Sequence, residues 1–218
     1  MKKKLLVGLA TGLLMLGVGR MATAALTVNV AFGTSSYSGI GAAPDAGTVW
    51  NGLSYNGGSN LLNSNGTATG ISVGTTASEA FSDGGTSLMD NRIFVTGSWG
   101  PFDVTISGLN NSSTYNLYVY GSNPIYASTY TVGSTSDYSL GVENNAPYLY
   151  HTNYALLTGL DPTNGEIDIR VDRYLGSEAA VISGFQLVQT TPTSIPDAAW
   201  LLGSGLMGLF GLRKREVL

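Results

Sequence analysis

The clearest order in this chain is an alternation of apolar and polar residues with a period of two. In Phe102-Asp103-Val104-Thr105-Ile106-Ser107 every apolar residue falls on one face and every polar one on the other, and Ile167-Asp168-Ile169-Arg170-Val171-Asp172 repeats the pattern. Successive side chains of a strand point to opposite sides, so this spacing predicts strands with one buried face. Val28, Val30 and Phe32 mark an opening strand. Tyr115, Leu117 and Val119 mark another, whose opposite face carries Thr114, Asn116, Tyr118 and Tyr120. Further strands are expected at residues 93–96, 128–132, 154–157 and 181–188. Turn residues separate them, as in Gly108-Leu109-Asn110-Asn111 and Asp161-Pro162-Thr163-Asn164-Gly165. Between residues 25 and 194 no stretch keeps a 3.6 period long enough for a helix, and no fixed-period repeat appears. Many short strands with frequent turns predict an all-β fold, a sandwich or barrel.

The two ends break this pattern. Lys2, Lys3 and Lys4 precede an uncharged, largely apolar run at residues 5–18, and Ala22-Thr23-Ala24 follow shortly after it. A basic start, a short apolar run and small residues at the cleavage spacing predict a signal peptide at residues 1–24, cut after Ala24. The run is shorter than the ~20 residues a spanning helix needs. With Arg20 close behind it, an uncleaved anchor is the other reading, and export follows from both. At the far end Ile195-Pro196-Asp197 leads into 15 uncharged residues, 198–212, and then Arg213-Lys214-Arg215. Those residues rise only about 22 Å as a helix, so a short C-terminal transmembrane helix is expected, with residues 213–218 as a basic cytoplasmic tail.

The segment from Ile195-Pro196-Asp197 through Trp200-Leu201-Leu202-Gly203-Ser204-Gly205-Leu206 to Arg213-Lys214-Arg215 resembles a PEP-CTERM sorting tail. The motif reads Ile-Pro-Asp where the family has Pro-Glu-Pro, and Glu216-Val217-Leu218 follow the basic cluster. The resemblance implies recognition by an exosortase after export by the secretion machinery, removal of the span, and delivery to the surface or exopolysaccharide matrix of a Gram-negative cell. An ordinary C-terminal anchor is the alternative reading, since Gly203, Gly205, Gly208 and Gly211 also permit close helix packing.

Residues 25–190 are expected to form one domain, joined to the span by a linker and sorting motif at residues 191–197. The chain has no cysteine, so the domain must hold together by core packing and hydrogen bonds although export permits disulfides. Outside the two terminal signals, Arg92, Arg170 and Arg173 stand against 12 Asp and Glu, a net charge of −9. Such a surface repels phosphate backbones and excludes nucleic acid as a partner. Asn29-Val30-Ala31-Phe32-Gly33, Ile106-Ser107-Gly108-Leu109 running into Tyr115-Asn116-Leu117-Tyr118-Val119-Tyr120-Gly121, and Ile182-Ser183-Gly184-Phe185-Gln186-Leu187-Val188 resemble strands of a galactose-binding-like jelly roll. That resemblance implies an antiparallel jelly-roll sandwich and no site residue.

Candidate chemistry is sparse. His151 is the only histidine, so neither a zinc-type ligand cluster nor a serine triad with a nucleophile elbow can be assembled from this sequence. Glu166, Asp168 and Asp172 offer spaced carboxylates of the kind glycoside hydrolysis uses, but alternation sets Asp168 and Asp172 on a solvent face beside Arg170. The chain is read as a non-enzyme that needs no cofactor. Calcium stays open at two oxygen-rich turns, Asp83-Gly84-Gly85 with Asp90-Asn91, and Asp161 with Asn164 and Glu166. The densest candidate for a ligand surface is Tyr148, Tyr150, His151 and Tyr154, set among Asn144, Asn145, Thr152 and Asn153 after Pro147, with Tyr118, Tyr120 and Tyr126 as additions. Aromatic faces with amides and hydroxyls suit a polysaccharide. Cross-strand tyrosine pairs stabilising a Gly-rich sheet are the competing reading. Trp50 and Trp99 belong to either core or rim.

Overall fold

The strands form where β-branched and aromatic residues alternate with polar ones. The computed structural model describes residues 25–33, 37–44, 46–121, 126–141 and 147–190. The expected signal peptide with Ala22 and Ala24, the sorting motif Ile195, Pro196 and Asp197, the span 198–212, the basic Arg213, Lys214 and Arg215, and Asn144 and Asn145 lie outside the described residues.

One five-stranded sheet has the order β10 (Tyr154–Leu160), β7 (Thr114–Tyr120), β12 (Gly184–Thr190), β1 (Thr27–Phe32) and β2 (Asn51–Leu53). A second has the order β3 (Ser72–Thr75), β6 (Phe102–Ser107), β11 (Glu166–Arg173), β8 (Ser128–Val132) and β9 (Thr135–Ser139). β4 (Glu79–Ser82) and β5 (Asn91–Phe94) make a separate two-stranded ribbon. Val30, Phe32, Leu117, Val119, Phe185 and Leu187 from the first sheet meet Val104, Ile106, Ile167, Ile169, Val171 and Tyr130 from the second in one buried core. The fold is therefore an all-β sandwich. Burying such side chains stabilises it by roughly 1.5–3 kcal/mol each before entropy is charged against them.

Alternation is visible in the result. β6 buries Phe102, Val104 and Ile106, and β11 buries Ile167, Ile169 and Val171 while Asp168, Arg170 and Asp172 face solvent. Arg170 there holds Asp103 across the strand pair, donating to both carboxylate oxygens at 3.0 and 3.1 Å. The expectation of a wholly antiparallel sandwich needs one correction, because β2 runs parallel to β1, with Val30 beside Asn51. The chain leaves β1 and returns alongside it by way of residues 37–44 and 46–50, a connection long enough for a parallel crossover.

That connection changes the status of the first sheet's outer face. Asn29 and Gln186 are fully buried on it, and β1 is buried along its whole length. Asn29 Nδ2 donates to the carbonyls of Ala46 at 2.8 Å and Val49 at 2.9 Å, and Gln186 Oε1 accepts the Ala43 N–H at 2.9 Å. Gly41 lies so close to the Gln186 amide that a Cβ would collide with it. The small residues of this connection let the backbone settle directly onto the sheet.

Candidate functional site: an aromatic surface around the β9–β10 connection

The outer face of β7 and β10 collects tyrosines because period two puts Tyr118, Tyr120 and Tyr154 on the side away from the main core. Tyr120 is fully buried there with Ala31, Leu88 and Met89, and Tyr37, Trp50, Tyr118, Tyr148 and Tyr154 pack around them. The rings of Tyr148 and Tyr154 lie 5.1 and 6.2 Å from that of Tyr120, and Trp50 meets the same ring edge-on at 6.2 Å. Trp50 is thus part of a second core, and its Nε1 donates to the Gly39 carbonyl at 2.8 Å. Tyr148 and Tyr37 share a hydroxyl–hydroxyl bond of 2.9 Å. Desolvation first, and then the bond to Tyr37, push the Tyr148 phenol far above its ordinary value. Desolvation does the same to Tyr120.

The turn before β10 sends the other two aromatic residues elsewhere. His151 adopts a positive φ of 61°, its N–H donates to the Tyr154 carbonyl at 2.8 Å, and its carbonyl accepts the Leu140 N–H at 2.9 Å. Asn153 caps the turn by accepting the Leu149 N–H at 2.8 Å. The outcome is a column of four stacked rings. Tyr150 lies 3.8 Å from His151, His151 lies 4.2 Å from Tyr138, and Tyr138 lies 4.2 Å from Tyr174. Tyr138 belongs to β9 and Tyr174 follows β11, so three separate parts of the chain build the column.

Asp137 anchors it from beneath. One carboxylate oxygen sits 2.8 Å from His151 Nε2, and the other accepts the Leu156 N–H at 2.7 Å. Both ring faces of His151 are covered and Nε2 is engaged, an arrangement that holds a side chain in place. Tyr150 at the end of the column is half exposed.

The structure therefore divides the four expected residues. Tyr148 and Tyr154 are packed on Tyr120, whereas Tyr150 and His151 join Tyr138 and Tyr174, with the Tyr150 and Tyr154 rings meeting at 5.8 Å where the two groups adjoin. Tyr118 pairs with Tyr154 at 5.9 Å, but Tyr126 lies apart, packed beside Phe94, Ala179 and Val181.

The oxygen-rich turns are also placed. Asp83 pairs with Arg92 at 2.9 Å, and Asp90 accepts the Ser87 N–H at 2.6 Å at the start of a single 3-10 turn, Leu88–Asp90. Asn91 is buried in β5. Asp161, Asn164, Glu166 and Asp168 line a groove of about 480 Å³ between the β8–β9 and β10–β11 turns. Asp168 accepts the Thr105 hydroxyl at 2.6 Å. Among the described residues no three His, Asp or Glu side chains are grouped to hold a metal ion. Among the same residues no helix is long and apolar enough to cross a membrane. No protein-family model, no curated protein and no solved structure matches this chain.

Proposed function

We propose that this chain is an exported, non-catalytic module, a structural or adhesive component of an exopolysaccharide matrix, carried to the surface of a Gram-negative cell by its PEP-CTERM-like tail. In this reading residues 1–24 direct export. Ile195, Pro196 and Asp197 with the following span and Arg213, Lys214 and Arg215 hold the chain in the inner membrane until an exosortase acts. The sandwich, of jelly-roll type, is the part delivered.

The observation that supports an adhesive role is the four-ring column ending in half-exposed Tyr150. Stacked rings fixed by an anchored histidine offer aromatic surface at little conformational cost, which favours contact with the apolar faces of sugars. The same feature supports the neighbouring reading of a carbohydrate-binding module. A polysaccharide hydrolase is the most distant alternative, since of the carboxylates it would use only Glu166 and Asp168 line the open groove, and Asp168 is engaged by Thr105.

Cosedimentation of the full chain with extracellular polysaccharide tests the proposal. Partition with the polysaccharide, nearly independent of salt, is expected because stacking and hydrogen bonds rather than net charge would make the contact. Complete recovery in the supernatant would count against it.

A further inference from the structure

A second aromatic feature lies away from the tyrosine column. Trp99, Tyr126 and Glu178 line a cleft of about 240 Å³. Trp99 is 42% exposed, unusual for so large an apolar side chain, and its backbone holds a positive φ of 50°. A bulky residue enters that region only where the surroundings force it, and such positions concentrate at ligand clamps. Here the surroundings are explicit. The indole stacks on buried Phe94 at 4.9 Å with only 12° between the rings, and the Trp99 carbonyl accepts the Ala180 N–H at 3.1 Å. One face of the indole is thereby fixed on the core, and the other is left to the cleft.

Tyr126 is steadied in a comparable way. The Arg92 guanidinium lies 5.3 Å from its ring centre and 4.5 Å from that of Phe81, and Arg92 is held in turn by Asp83 at 2.9 Å. Among the described residues the cleft is thus walled by two packed aromatic rings and the Glu178 carboxylate.

We propose that this cleft binds a single neutral pyranose ring of a polysaccharide, the sugar's apolar face on Trp99 and its hydroxyls on the Glu178 carboxylate and the Tyr126 phenol. The chemistry selects this ligand class. The volume falls below the 300–1,000 Å³ of sites for drug-sized ligands, which fits one ring rather than an extended molecule. Glu178 disfavours an anionic ligand, and flat aromatic walls beside a hydrogen-bond acceptor suit a hydroxylated ring. The proposal rests on the polysaccharide-associated reading above and assigns it a site.

The test is calorimetric titration of the full chain with soluble neutral polysaccharides, a β-glucan, a galactan and a mannan, beside an anionic alginate. The wild-type chain is expected to bind at least one neutral polymer. Trp99→Ala should weaken that binding tenfold or more, Trp99→Phe by less, and Glu178→Gln several-fold. Trp99→Phe and Glu178→Gln should leave the unfolding temperature unchanged, which guards against misfolding of the alanine variant. Wild-type affinity in both Trp99→Ala and Glu178→Gln, with loss in Tyr150→Ala, would overturn this site while leaving the adhesive reading intact. Binding of alginate alone, or of none of the four, would also overturn it, and cosedimentation with native extracellular polysaccharide would then decide the adhesive reading separately.

Discussion

Tyr120 donates its phenol proton to Gln186 Oε1 while its own oxygen accepts the Ala42 N–H at 2.6 Å. Gln186 passes the chain on, donating from Nε2 to Asn29 Oδ1 at 2.9 Å. Three polar side chains from β7, β12 and β1 therefore tie the covering connection to the sheet, with every named polar atom partnered. Such a network rigidifies a fold when it is complete and is costly when it is cut.

Replacing Gln186 with Leu should cut it. The Ala43 N–H, the Tyr120 hydroxyl and Asn29 Oδ1 would lose their partners in a dry setting, at about 1–3 kcal/mol for each group left unpaired. A total loss of roughly 3 kcal/mol or more in urea unfolding is expected. A loss below about 1 kcal/mol would mean that water reaches the network or the connection lifts away.

Ser183 presents the opposite case. Its hydroxyl is buried without a hydrogen-bond partner, between backbone groups that bond to Phe32 and Tyr120. Ser183→Ala removes a desolvated polar atom and no contact of value. Stability should hold or rise by up to about 1 kcal/mol, and a clear loss would reveal a partner for that oxygen.

Stability should fall steeply in alkali. Desolvation raises the phenol pKa of Tyr120 and Tyr130 far above 10.0, so the folded chain keeps protons that the unfolded chain releases. Unfolding then sheds protons, and the stabilisation present in full below pH 10 is lost as pH climbs from the unfolded value towards the raised folded ones, at about 1.4 kcal/mol per pH unit for each of the two. Unfolding midpoints flat between pH 9 and 11.5 would contradict this. Tyr120→Phe should make the slope shallower.

The four aromatic residues expected to form one ligand surface should separate on mutation. Tyr148→Ala and Tyr154→Ala remove rings packed on Tyr120 and should cost about 2–4 kcal/mol. Tyr150→Ala removes a half-exposed ring and should cost less than about 1 kcal/mol. Equal losses at all three positions would make the whole segment framework.

These contrasts show where the sequence was informative. Strands at residues 102–107, 114–120 and 128–132 agree with β6, β7 and β8 because alternation is a local signal. β3, β4 and β9 escaped notice because Ser72–Thr75, Glu79–Ser82 and Thr135–Ser139 carry few apolar residues and pair at edges or in a ribbon. Alternation sets Asn29, Tyr120 and Gln186 on the face away from the main core, and nothing local tells that residues 37–44 and 46–50 will fold back over them. Convergence of Trp99, Tyr126 and Glu178, or of Tyr138, His151 and Tyr174, is likewise a property of the assembled sheets. Density of tyrosines in one segment pointed to the right neighbourhood but could not foresee the turn at His151, which packs Tyr148 and Tyr154 against Tyr120 and leaves Tyr150 at the end of the column.

The most direct test of the account is where the protein ends up. The full chain and a version ending at Ser194 should be expressed in a Gram-negative host that has an exosortase, and the envelope, matrix and medium assayed for each. The account predicts the full chain in the envelope and matrix and the shortened chain in the medium. The same distribution for both, or retention of either in the cytoplasm, would contradict it.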